Sequence, residues 1–133
     1  MVGIVLVSHG EMAAGMLDAA RMIVGEQEQI LPISLNEQDD VEGLMERIAT
    51  AIKEIDTGEG ILVLVDVFGA SPFNASARLA MGEAKIEVIT GMNLPMLLEL
   101  AIQRGNQGFE ALVQIALTAG ISSIRTLSDT IKK

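Results

Sequence analysis

An α/β domain with helices wrapped around a parallel sheet is what this sequence predicts, and three features carry that reading. Two short continuous apolar runs, Met1 to Val7 and Ile61 to Val65, suit strands buried on both faces. Amphipathic stretches with helical spacing alternate with strand-like ones. The links between them are short, which favours crossover connections over separate layers.

Met1 to Val7 is the first predicted strand, and the polar turn Ser8-His9-Gly10 follows it. Met12, Ala13, Met16, Leu17, Ala20, Ile23 and Val24 then recur at helical spacing, and Gly25 supplies a stop. Ile30 to Leu35 is a second strand. Pro32 within it cannot donate to a central ladder and so places it at a sheet edge. Val41, Leu44, Met45, Ile48, Ile52 and Ile55 form the clearest helical stripe in the chain, with Glu42, Glu46, Lys53 and Glu54 off it.

Gly60 opens the third strand, Ile61 to Val65, which ends at Asp66 and the loop Val67-Phe68-Gly69-Ala70. Ser71 as N-cap and Pro72 as first helical residue predict a helix to about Met81. Lys85 to Thr90 reads as a fourth strand, and Gly91-Met92 as a turn. Asn93 caps a helix beginning at Leu94 and closed by Gly105. A further helix runs from Phe109 to Gly120. Ile121 to Leu127 reads as a last short strand, and Ile131-Lys132-Lys133 as a frayed end.

With the second strand at an edge, the favoured sheet order is the flavodoxin-like 2-1-3-4, with helices on both faces. Strands one and three are then neighbours whose connections leave in opposite directions, which opens a crevice at their carboxyl ends. His9 and Asp66 fall on the two lips of that crevice.

Composition narrows the function classes. The 133 residues read as one domain, 1–133, and half of them are hydrophobic, enough for a core without disulfide or metal. There is no Cys and no apolar run of membrane-spanning length, and the apolar N-terminus lacks a basic leader, so a cytoplasmic protein is expected. A formal net charge of −9 disfavours nucleic acid and anionic lipid and favours a partner with a basic face. Without Trp or Tyr there is little to stack on bases or flavins; most of the eight Met are expected in the core.

His9 is the only histidine, and its side chain is the one whose unperturbed pKa lies near neutrality. A lone histidine at a strand end is commonly a turn or core residue, and a lone Asp66 commonly a cap. The predicted topology brings them together. A carboxylate on one ring nitrogen fixes the tautomer and leaves the other nitrogen's lone pair outward as nucleophile or base. Two helix N-termini, after Gly10 and at Ser71-Pro72, turn N–H groups toward the same space, and with the Ser71 hydroxyl they outline a phosphoryl cradle. Gly69 allows close backbone approach.

Three segments in this order and spacing resemble one family: Val7-Ser8-His9-Gly10, Leu64 to Ala75, and Thr90 to Leu97. The family is the cytoplasmic enzyme IIA domain of the mannose/fructose/sorbose-type phosphoenolpyruvate-dependent sugar phosphotransferase system. The middle block, with Asp66, Gly69, Ser71-Pro72 and Phe73-Asn74 in register, is its most specific part. The resemblance implies a phosphohistidine carrier: His9 accepts a phosphoryl group from the carrier HPr and passes it to a histidine of enzyme IIB. It implies that Asp66 orients and stabilises the ring, and that Gly10, Gly69, Ala70 and Ser71 hold the phosphoryl oxygens. Glu11, Phe68, Met92 and Asn93 would line the mouth or meet a partner. It also implies a homodimer exchanging a C-terminal strand, about Ile121 to Leu127, antiparallel to the sheet.

No cofactor or metal is called for, because transfer between histidines needs little beyond positioning and charge stabilisation. IIB is expected on a separate chain, and the membrane is reached only through the transporter components. Glu11, beside His9, is expected to face solvent or a basic partner residue, since an inward carboxylate would repel a phosphoryl group.

Other readings fit less well. A receiver domain would place an acidic pair after strand one to hold Mg²⁺, and this chain has Ser8-His9 there. A nucleotide or flavin site would need a phosphate loop that Ser8 to Gly15 does not supply. A phosphorylation-dependent regulatory module, or the phosphotransfer subunit of a dihydroxyacetone kinase, stays as the alternative; the Ser71 to Asn74 block favours sugar transport.

Overall fold

Alternation along β1 (Gly3–His9) sends Ile4 and Leu6 to one side of the sheet and Val5 and Val7 to the other, all of them fully buried. A strand buried on both faces needs helices on both, and the chain provides them. The structure, a computed structural model, describes residues 1–131. After β1 come α1 (Met12–Val24), β2 (Ile30–Leu35), α2 (Val41–Ile55), β3 (Ile61–Val65) and α3 (Ser71–Ala80). β4 (Ile86–Ile89), α4 (Leu94–Gln103), α5 (Phe109–Ser122) and α6 (Leu127–Ile131) complete the order.

The four strands form one parallel sheet in the order β2-β1-β3-β4, as expected. Ile4, Leu6, Leu62 and Leu64 pack with Ala13 and Ala20 of α1, Leu97 and Leu100 of α4, and Leu112 and Ala116 of α5. On the opposite face Val5, Val7, Val63 and Val65 pack with Leu44, Ile48, Ile52 and Ile55 of α2 and Ala75 of α3. Each fully buried Leu contributes on the order of 2 kcal/mol relative to exposure, so these two layers dominate stability. Among the described residues no helix is long and apolar enough to cross a membrane.

The amino-terminal end of the sheet is closed by Arg104, which is 3% exposed. Its guanidinium donates to the carbonyls of Val2, Glu28 and Gln29. A cation there ties the entries of β1 and β2 to the end of α4, at the edge away from the strands' carboxyl ends.

Several boundaries differ from the sequence expectation. β1 extends through Ser8 and His9, which pair with Ser34 and Leu35, because the buried Ser8 hydroxyl finds a backbone partner and need not surface. In α3, Ala70 is the N-cap and Ser71 already helical; no side chain caps this helix. β4 is shorter than Lys85 to Thr90.

The tail departs most. Ile121 and Ser122 continue α5, and Leu127 opens α6, so Ile121 to Leu127 is not a strand in this chain. The reason lies in the spacing: Leu117, Ile121, Ile124, Leu127 and Ile131 recur every three or four residues, a helical period rather than an alternating one. Ile131 ends α6, while residues 132 and 133 of the expected frayed end lie outside the described residues.

Candidate functional site

From the carboxyl end of β1 the chain turns into α1 and crosses to β2; from the end of β3 it turns into α3 and crosses to β4. The two connections diverge, and the space between them is the switch point where ligands of such sheets collect. His9 is the last residue of β1, and Asp66 follows the last residue of β3.

The two side chains meet. Asp66 Oδ2 accepts the His9 backbone N–H at 2.8 Å and lies 2.7 Å from His9 Nδ1, while Oδ1 accepts the Val67 N–H at 2.9 Å. The carboxylate side chain is 9% exposed and the imidazole 53%. Partial burial alone would raise the Asp66 carboxyl. The His9 backbone N–H, the His9 ring and the Val67 N–H together outweigh it and hold the group below the ordinary carboxylate value. Asp66 is therefore ionised at neutral pH and suited to accept a hydrogen bond from Nδ1, which leaves Nε2 as the ring nitrogen not engaged by the carboxylate.

The turn around His9 is pinned on both sides. Ser8 Oγ accepts the Ala13 N–H at 2.8 Å, capping α1 from within β1, whereas Glu11 at the N-cap position makes no side-chain cap. Gly10 adopts φ +55°, a conformation that favours glycine, and its N–H donates to the Leu35 carbonyl at 2.8 Å. The Gly10 amide is thus already engaged. Glu11 is exposed, as expected.

On the facing lip, Gly69 takes φ +84° and its carbonyl accepts from Asn74 Nδ2; the Ala70 carbonyl accepts the Asn74 N–H. These bonds fold the loop onto the first turn of α3, where Ser71 is half-buried. Phe68 is 76% exposed, its ring 4.7 Å from that of Phe73.

Two expected mouth residues are built into the scaffold. Met92 is 4% exposed and packs in the α1/α4/α5 core, its N–H donating to the Val65 carbonyl. Asn93 accepts the Met96 N–H through Oδ1 and donates to the Gly120 carbonyl through Nδ2, so it caps α4 and ties it to α5.

The loop after β2 also borders His9, although no motif in the sequence marks it. A cavity of about 450 Å³ is lined by His9 and Gly10 together with Leu35, Asn36, Glu37 and Asp39. The signal lies in the topology, since β2 neighbours β1 in the predicted order and its loop leaves at the same end. This loop is held by Asp39, which accepts from the Asn36 N–H, and by Arg47, which donates to the Ser34 carbonyl and to Asp39. A larger cavity, about 550 Å³, lies between α4 and α5 and contains neither His9 nor Asp66. Among the described residues no cluster of side chains is suited to a metal ion.

The His9 imidazole is half exposed and belongs to the lining of the cavity shared with the loop after β2. The chain is 36% identical over 127 residues to the mannose-specific EIIAB component of the PTS system in Escherichia coli (strain K12), a match covering 95% of this chain and 39% of that protein. It is also 36% identical over 110 residues to the sorbose-specific EIIA component of Lacticaseibacillus casei, covering 83% of this chain and 79% of that one. The crystal structure of phosphotransferase system component EIIA from Streptococcus agalactiae superposes with a TM-score of 0.89 at 28% identity, covering 97% of this chain and 99% of that one. With the family model for the PTS system fructose IIA component matching residues 3–117, the chain belongs to that family of IIA components.

Proposed function

We propose that this chain is a cytoplasmic phosphohistidine carrier of a sugar phosphotransferase system, loaded by phospho-HPr and unloaded onto a histidine of enzyme IIB. The observation that carries the reading is the 2.7 Å contact between Asp66 Oδ2 and His9 Nδ1 on a half-exposed imidazole, which leaves Nε2 unengaged by the carboxylate to act as the nucleophile.

In the loading step, the donor's N–P bond breaks with its electron pair returning to the donor imidazole, while the Nε2 lone pair forms the new N–P bond. The Nδ1 proton stays between His9 and Asp66, so the phosphorylated ring carries positive charge that the carboxylate offsets. Unloading repeats the exchange toward the IIB histidine. Gly69, Ala70 and Ser71 form the phosphoryl cradle, facing the turn at Gly10, whose own N–H is held by the Leu35 carbonyl. Here backbone N–H groups and the Ser71 hydroxyl supply donors, and no cofactor takes part. Glu11 and the exposed Phe68 meet the protein partners; the acidic surface suits a basic donor, and the added phosphate weakens product binding.

The membrane components choose the sugar, and this chain touches the membrane only through them. Its working form is a homodimer in which the apolar C-terminal segment of one copy covers the other. In support, Ile121, Ile124, Leu127 and Ile131 are all exposed, and an apolar groove beside the free edge of β4 includes Phe73, Val88, Val113 and Leu117.

Incubation with phosphoenolpyruvate, enzyme I and HPr is expected to give an acid-labile phosphoryl adduct on the wild type and none on His9→Ala. An adduct on His9→Ala, or none on the wild type, overturns the reading. A regulatory module using the same phosphohistidine would load equally but would not pass its phosphoryl group to a IIB protein.

A further inference from the structure

The described residues bury only three polar or charged side chains: Ser8, Ser76 and Arg104. Ser76 donates to the Pro72 carbonyl one turn earlier in its own helix, and Arg104 closes the far end of the sheet. Ser8 differs in that its bonds span the turn that carries His9: its hydroxyl accepts the Ala13 N–H beyond the turn and donates to the Gly10 carbonyl at 3.4 Å within it. It is 0% exposed in a strand otherwise made of Gly, Ile, Val and Leu up to His9.

Its hydroxyl reaches over four intervening residues to accept the Ala13 N–H at 2.8 Å. Ala13 is itself fully buried, so without Ser8 its N–H would have no access to water as a substitute. The usual capping position is vacant of that function, because Glu11 makes no cap. The four residues spanned are His9, Gly10, Glu11 and Met12. They include the proposed nucleophile and a glycine with positive φ, and Gly15 lies one turn further on. With Gly10 at its centre, the turn has less stiffness of its own than one built of residues with side chains.

We infer that Ser8 is a positioning residue for His9: its hydroxyl closes the β1–α1 turn and thereby fixes the imidazole against Asp66. The inference rests on the phosphocarrier reading for its kinetic consequence, though not for its structural one. His9 is then held by three bonds from different directions, with its own N–H on Asp66, the next residue's N–H on Leu35, and the preceding residue's hydroxyl on the helix. Since a misplacement of about 1 Å at a reacting atom can cost roughly 100-fold in rate, loosening one of the three is expected to cost about tenfold.

The test compares wild type, Ser8→Ala and Ser8→Thr in two measurements. In the first, ¹⁵N NMR of the His9 ring reports the tautomer without any donor. Wild type and Ser8→Thr are expected to show the single Nδ1-protonated tautomer, and Ser8→Ala a mixture or exchange-broadened signals. In the second, loading from phospho-HPr is measured against donor concentration. Ser8→Ala is expected to lose about tenfold in the saturating rate with half-saturation changed less than about twofold, and Ser8→Thr to recover the rate.

A ring spectrum identical in Ser8→Ala and wild type overturns the inference. So does a loss in Ser8→Ala that Ser8→Thr does not recover. If the wild type accepts no phosphoryl group, the carrier reading fails, while the ring spectrum still decides the role of Ser8.

Discussion

A single oxygen of Asp66 serves two groups of one residue: Oδ2 lies 2.8 Å from the His9 backbone nitrogen and 2.7 Å from His9 Nδ1. The backbone bond locates the residue and the ring bond orients its side chain, so position and ring orientation are set by the same carboxylate.

Asp66→Asn is therefore not conservative. Three N–H groups converge on the carboxylate, two at Oδ2 and one at Oδ1. An amide in either orientation sets its own N–H against one of them. Asp66→Asn is expected to lose about 1–3 kcal/mol of stability in urea unfolding. It should also slow loading from phospho-HPr by roughly 100-fold, since tautomer control is lost. Asp66→Ala, which leaves no opposing donor, is expected to fold and to slow transfer less; loading at the wild-type rate in both variants would remove Asp66 from the mechanism.

The same bonds set a pH dependence with a definite sign. The Asp66 pKa is lowered in the folded protein, so its stabilising contribution is fully present above the ordinary value of 3.8 and is lost as pH falls through the lower folded value. Urea midpoints of wild type and Asp66→Ala, followed from about pH 6 down to about pH 2.5, are expected to stay apart above about pH 5 and to converge below. A constant gap across the range would show that Asp66 does not contribute through its charge.

Asn93 separates scaffold from site. Its bonds to Met96 and Gly120 make it a cap and a brace. Asn93→Ala is expected to cost about 1–2 kcal/mol in thermal or urea unfolding while leaving loading within about twofold of wild type. A slowed reaction in a fully stable variant would instead place Asn93 at the mouth.

Particular residues show how far the sequence could be read. Pro32 marks β2 as an edge strand, and from that the order β2-β1-β3-β4 and the juxtaposition of His9 with Asp66 both follow. The helical stripes of α1 and α2 give their limits to the residue. Ser8 misleads, because polarity alone reads as a surface turn, and only the structure reveals the Ala13 N–H that satisfies it. Asn93 reads correctly as a cap, but a local pattern cannot show that its other arm holds Gly120. In the tail the helical recurrence of Ile121, Ile124, Leu127 and Ile131 outweighs the short apolar run, and the structure follows the period. Arg104 had no local signature, since its three carbonyl partners lie more than 70 positions away.

The most direct test of the central claim is the atom that carries phosphorus. Long-range ¹H–¹⁵N NMR of the protein phosphorylated through HPr is expected to show phosphorus coupled to His9 Nε2, with Nδ1 protonated and bonded to Asp66. Phosphorus on Nδ1, or on any residue other than His9, would contradict the account.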